Sequence, residues 1–213
     1  SLYVLGALRR PRPAAVSTAL GFFLVGVVSS AVMLFGLAQL YGATGAAYLD
    51  DLARLLPEAV DQPLVQVGLL FTLCGFFFKL AVFPFHVWAA DTYQGAAHQV
   101  TAYIATASKI AAIAILVRVA AAGGGSPYLF ECLVILSVLS MTVGNLAAVA
   151  QKDLKRLFAY SSIAQAGYVL VGILCLSPDG YAATLFYSVA LLAMKYTCFL
   201  ELVLVAAGGA DIE

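Results

Sequence analysis

The chain has 213 residues, 63% of them hydrophobic and only 10% charged, with a mean hydropathy of +1.00; an ordinary soluble domain has roughly 45–50% apolar and 25% charged residues. This composition is that of a membrane protein and excludes a soluble enzyme. Lys plus Arg and Asp plus Glu number 11 each, so net charge gives no reason to expect nucleic acid or an acidic substrate.

In chain order, "SLYVLGALRRPRP" reads as the tail of an apolar helix reaching a basic loop, not as a signal peptide. With the turn-like acidic "GGADIE" at the other end, both termini read as cuts through a longer chain. A bilayer core needs about 20 apolar residues per helix. Six stretches meet that length: Ala14 to Tyr41, Pro63 to about Ala89, Val100 to Ala122, Tyr128 to Ala150, Leu154 to Leu176 and Tyr181 to Ala207. Between the first two, "YLDDLARLL" has the pattern of a short amphipathic helix at the interface. "GGGSP", "QKDLKR" and "SPDG" separate the later spans. Long apolar runs without period-2 alternation predict helices and not a barrel, so the expected fold is an all-α polytopic transmembrane bundle in one membrane domain. If the loop holding Arg9, Arg10 and Arg12 is cytoplasmic, alternation puts six Lys/Arg on that side and only Arg54 and Arg118 on the other.

The four cysteines, Cys74, Cys132, Cys175 and Cys198, stand singly in apolar runs. They indicate neither a disulfide framework nor a metal site and read as packing residues. No dinucleotide, P-loop, zinc-protease or nucleophile-elbow pattern occurs, so any chemistry is proton or ion handling. No cofactor or metal is expected in this chain, and no nucleic-acid partner.

The informative residues are charges inside the apolar spans. Lys79, Lys109 and Lys195 lie near the middle of three different spans, Glu201 lies deeper than an interface anchor, and His86 follows a helix break. A lysine at the bilayer centre costs roughly 2.5–3.5 kcal/mol on insertion scales, so three of them need partners, water or a purpose. Snorkelling accounts for Arg118 and Glu201 near helix ends. It fits Lys109 poorly, with nine residues before it and thirteen after it in its span. In "FFFKLAVFPFHVW", Lys79 and His86 are seven residues apart, which on a continuous helix places them on nearly one face. Pro84 between them removes a backbone donor and clashes with the carbonyl of Leu80. The freed carbonyls would let an ammonium be solvated there. In "YSSIAQAGY", Tyr160, Ser161, Ser162, Gln165 and Tyr168 either join helices by hydrogen bonds or hold water for a proton path.

The stretches "FFFKLAVFPFHVWAADTYQG", "VTAYIATASKIAAIAILVRV" and "GNLAAVAQKDLKRLFAYSSIAQAGYVLVGI" together resemble the antiporter-like, proton-pumping membrane subunits of respiratory complex I. "SLYVLGALRR" and "SSAVMLFGLAQLYGATG" are most similar to the N-subunit family of bacterial NADH:quinone oxidoreductase, the counterpart of mitochondrial subunit 2. The resemblance implies part of a fourteen-helix, inverted-repeat fold, from the end of the fifth helix through the eleventh, in the bacterial inner membrane. It makes Lys79 the lysine of a broken seventh helix, His86 the histidine after it and Lys109 the central lysine of the eighth, all protonatable links at mid-membrane. The partners it implies are the other membrane-arm subunits, the lipid bilayer and protons, with quinone and NADH acting only through other subunits. The family's helix-five glutamate would precede Ser1 and its helix-twelve lysine would follow Glu213.

The chain departs from the family at Ala90, Ala97 and Gln99, where prolines are usual, and at Gly21, where a lysine is frequent. His98 is unusual, and Lys195 stands where a small or polar residue is customary. Lys195, His98, Glu201, Tyr160 and Ser161 are therefore further candidates for proton transfer, with Lys195 or His98 replacing a lost link. An Mrp-type cation/proton antiporter subunit and the membrane subunit of an energy-converting hydrogenase are the alternative readings.

Overall fold

The computed structural model describes residues 13–123 and 126–208; the stub at 1–8, the basic loop and all of "GGADIE" after Gly208 lie outside them. Nine helices are found among the described residues: α1 Pro13–Thr44, α2 Leu49–Ala59, α3 Pro63–Leu80, α4 Val87–Gly95, α5 His98–Ala105, α6 Ala107–Ala122, α7 Pro127–Val149, α8 Leu154–Leu174 and α9 Pro178–Ala207. With α5 and α6 taken together, six segments are long and apolar enough to cross a membrane, as expected. The outer faces of α1, α7 and α9 leave Leu34, Phe35, Ile135, Val138, Phe186 and Val189 more than half exposed. A soluble monomer does not carry apolar faces of that extent. The chain is an integral, multi-pass membrane protein.

Helix starts follow capping chemistry. The Ser126 hydroxyl accepts from the Leu129 N–H at 3.4 Å, the Asp153 carboxylate from Arg156 N–H at 2.8 Å and the Ser177 hydroxyl from Gly180 N–H at 3.1 Å. Pro127 and Pro178 follow two of these caps in the first turn, where a missing N–H costs nothing. The "SP" pairs are therefore starts as well as breaks, and α9 begins three residues before the expected Tyr181. The short interfacial helix is present as α2, with Leu52, Leu56 and Ala59 turned inward and its charges outward.

Two close pairs frame the bundle, α1 against α3 and α7 against α8, with α6 packed on α3 and α9 flanking α5, α6 and α8. The pairs approach through glycine. A Cβ on Gly144 would lie 2.5 Å from the Ala164 nitrogen, and one on Gly36 the same distance from the Thr72 nitrogen, the close backbone approach that small residues permit in membrane helices. The main core gathers Leu73, Phe77 and Leu80 of α3, Leu116 of α6, Leu133 of α7 and Leu170 of α8.

One expectation is corrected here. Lys79 and His86 do not share a helical face, because α3 stops at Leu80 and the backbone is non-helical until Val87. Ala81 takes the left-handed conformation, φ 61° and ψ 41°, and its N–H closes on the carbonyls of Phe77 and Phe78. The Phe83–Pro84 peptide is cis. The break near Pro84 is complete, so the seven-residue spacing loses its helical meaning.

Candidate functional site

A helix that ends inside a membrane must find partners for its last carbonyls within the protein, and for three of the last four in α3 the partner can be named. The Phe77 carbonyl accepts from Val82 N–H at 2.9 Å. The Phe78 carbonyl accepts from the indole Nε1–H of buried Trp88 at 3.1 Å. The Leu80 carbonyl accepts from Lys109 Nζ at 3.0 Å. On the far side of the break, Phe83 N–H donates to Ser140 Oγ at 3.0 Å.

Lys109 is 6% exposed and comes from a second irregularity, which the sequence did not suggest. Thr106 leaves helical geometry, φ −118° and ψ −86°, dividing the third span into α5 and α6. Its hydroxyl turns back to the Ala102 carbonyl at 2.6 Å. Lys109 stands in the first turn of α6 and sends its ammonium to the negative, carbonyl end of α3, where a cation is favoured. The bond to a charged donor is of the stronger kind.

Beside it lies a cavity of about 20 Å³ lined by Leu80, Thr106, Lys109, Ser162, Ser188 and Lys195, among apolar side chains. That is space for about one water. Lys195 Nζ donates to Ser162 Oγ, and Ser162 also pairs with the phenol of fully buried Tyr93 at 3.4 Å. Lysines 109 and 195, from α6 and α9, thus meet across one small space.

The other candidates separate from this cluster. Lys79 is half-buried, does not line that cavity, and carries its Nζ 5.7 Å from the centre of the Phe78 ring. His86, just ahead of α4, stacks on Phe83 with ring centres 5.3 Å apart, and its Nδ1 has no hydrogen-bond partner. His98 opens α5, eleven residues before Lys109 and on the other side of the break at Thr106, and does not line that cavity. Glu201 is exposed on α9, as a snorkelling side chain would be. Tyr160 lies by Arg156 at the start of α8. Ser161 lines a separate cavity of about 110 Å³ with Gln165 and Lys195.

Lys155 is the buried charge that sequence reasoning passed over as a loop residue. It is 2% exposed and donates to the carbonyls of Gln94 at 2.7 Å and Ala96 at 3.3 Å, pinning the α4–α5 connection. Around it, Arg156 pairs with Asp91 at 2.6 Å and Gln94 donates to Asp153 at 3.0 Å. The clue was its place in the first turn after an Asp cap, which is helix and not loop. Among the described residues, no group of three or more His, Cys, Asp or Glu converges in a way that could hold a metal ion.

A polytopic bundle with a broken helix, whose freed Leu80 carbonyl is taken by a buried lysine, fits the antiporter-like membrane family that the sequence resembles. The chain belongs to that family: residues 1–210 match the group described as NADH:quinone oxidoreductase/Mrp antiporter, transmembrane. It is 63% identical to NADH-quinone oxidoreductase subunit N 2 of Syntrophobacter fumaroxidans, over 100% of this chain and 45% of that relative. It is similar to a chain in the structure of respiratory complex I from Thermus thermophilus with bound aureothin, at 39% identity and a TM-score of 0.80, over 93% of this chain and 42% of that one. A chain of the Mrp complex from Dietzia sp. matches at 26% identity and a TM-score of 0.87, over 96% and 38%. The chain therefore spans a little under half the length of the curated relatives it matches.

Proposed function

We propose that this chain is the central part of a proton-translocating membrane subunit of NADH:quinone oxidoreductase in a bacterial inner membrane. The observation that carries the reading is Lys109, buried at mid-bundle, held by the Leu80 carbonyl that the helix break frees, and bordering a cavity sized for one water. An ammonium there has one fixed acceptor and borders a space edged by Thr106, Ser162 and Ser188, so it can give up a proton to a water in that space and take one back without leaving its place. Lys79 and His86 flank the same break and are the other proposed proton carriers. Flavin, iron–sulfur and quinone chemistry belong to other subunits, and the membrane-arm neighbours are the partners.

The fold does not separate this reading from an Mrp-type antiporter, whose structure superimposes as well; the sequence identity favours the oxidoreductase. The test is Lys79→Ala and Lys109→Ala in the complete protein within its assembled complex. Each variant is expected to lower proton translocation in membrane vesicles driven by NADH oxidation while assembly persists. Normal protons per electron in both would overturn the assignment.

A further inference from the structure

Lys195 lines two cavities at once. One is the small space it shares with Lys109 and Ser162. The other, about 110 Å³ between α8 and α9, is lined by Ser161, Gln165, Met194 and Cys198. The Gln165 side-chain oxygen Oε1 in turn accepts from the Tyr187 hydroxyl. In the wall between these spaces the ammonium is hydrogen-bonded to a neutral hydroxyl. A structural lysine at this depth would be expected on a carboxylate or on several carbonyls.

We propose that Lys195 is a proton relay that connects the Lys109 cavity to the Ser161–Gln165 cavity, a branch leaving the lysine axis between α8 and α9. The inference rests on the proposed function above and adds a carrier to it. In the step, an N–H bond of the Lys109 ammonium breaks and its proton passes to a water or to the Ser162 hydroxyl. That oxygen releases its own proton to the neutral amine of Lys195, forming an N–H bond there. One proton moves, Lys109 ends as the amine and Lys195 as the ammonium, and no electron is exchanged. Release into the second cavity resets Lys195. Two ammonium groups facing one small space repel each other, which favours passing a single charge between them over holding two. Ser162, tied to Tyr93, keeps the bridging oxygen in place.

The test uses the complete protein in its assembled complex, with Lys79 and Lys109 intact. Lys195→Met removes the carrier. Lys195→Arg keeps the positive charge but cannot lose its proton. Lys195→His keeps a titratable nitrogen. Protons moved per NADH oxidised are read in vesicles. The relay predicts a loss for both Met and Arg, with partial recovery for His. Wild-type transport in the Met variant overturns it, and so does wild-type transport in the Arg variant, since a fixed charge would then suffice. If the Met variant fails to assemble, Arg and His decide by the same criterion, and failure of all three marks a structural lysine and overturns the relay. None of these outcomes touches the reading of Lys109, which its own alanine variant tests.

Discussion

Lys109→Met separates a lysine kept for function from one kept for stability, and the two effects can be set against each other. The substitution removes one hydrogen bond from a charged donor to the Leu80 carbonyl, 3.0 Å long in a residue 6% exposed, a loss of roughly 1.5–3 kcal/mol. It also relieves the burial of an ammonium at mid-membrane, roughly 2.5–3.5 kcal/mol on insertion scales. The difference runs from about 0.5 kcal/mol of destabilisation to about 2 kcal/mol of stabilisation. Methionine fills a similar unbranched volume, so no cavity cost enters. The complete protein is purified in detergent and its thermal unfolding midpoint compared with wild type, alongside proton translocation in vesicles. The expected result is an unchanged or raised midpoint together with lost translocation. A loss of stability beyond about 2 kcal/mol, well outside that range, would refute the reasoning and make Lys109 a structural clamp on the end of α3.

Trp88→Phe keeps the ring contact with Phe22, whose centre lies 4.4 Å away, and deletes only the indole donor to the Phe78 carbonyl at 3.1 Å. A loss of about 1–3 kcal/mol is expected for the carbonyl left bare, read as a lower thermal midpoint. Lys155→Met strips a buried donor from the carbonyls of Gln94 and Ala96. Faster hydrogen exchange in the backbone of residues 94–101 is expected, with a lower thermal midpoint; unchanged exchange there would show that the α4–α5 connection holds without it.

The spans were legible because apolar length is a direct physical requirement of the bilayer: five of the six expected segments match to within a few residues, while the second, expected to reach about Ala89, ends at Leu80 where the break begins. The interfacial helix was legible from "YLDDLARLL", whose Leu52 and Leu56, four residues apart, turn inward in α2. The break at Thr106 was not, because nothing at that position is a breaker: no Gly or Pro stands there, and a Thr hydroxyl bonded to a carbonyl four residues back is ordinary in a membrane helix. The divergence arises from tertiary placement, which brings Lys109 to the end of α3. The cluster of Lys109, Ser162 and Lys195 was likewise hidden, since its members come from α6, α8 and α9 and no local period relates them. His98 and Glu201 shared with them only rarity in an apolar context, which does not measure position.

The break itself shows where local rules stop. Pro84 implies that the Leu80 carbonyl is released, and that follows from sterics alone. Sequence spacing then points to Lys79, one residue away, as the group to use it. In the fold the acceptor goes to Lys109, twenty-nine residues later. The carbonyls at the end of a helix project along its axis, beyond the last turn, whereas a side chain in that turn leaves sideways and tilts back toward the helix start. Lys79 therefore cannot easily reach a carbonyl of its own last turn. A donor approaching from beyond the end can, and the second break sets α6 where Lys109 does so. A proline in an apolar helix thus identifies the acceptor, while its cation has to be sought on whichever helix crosses the open end.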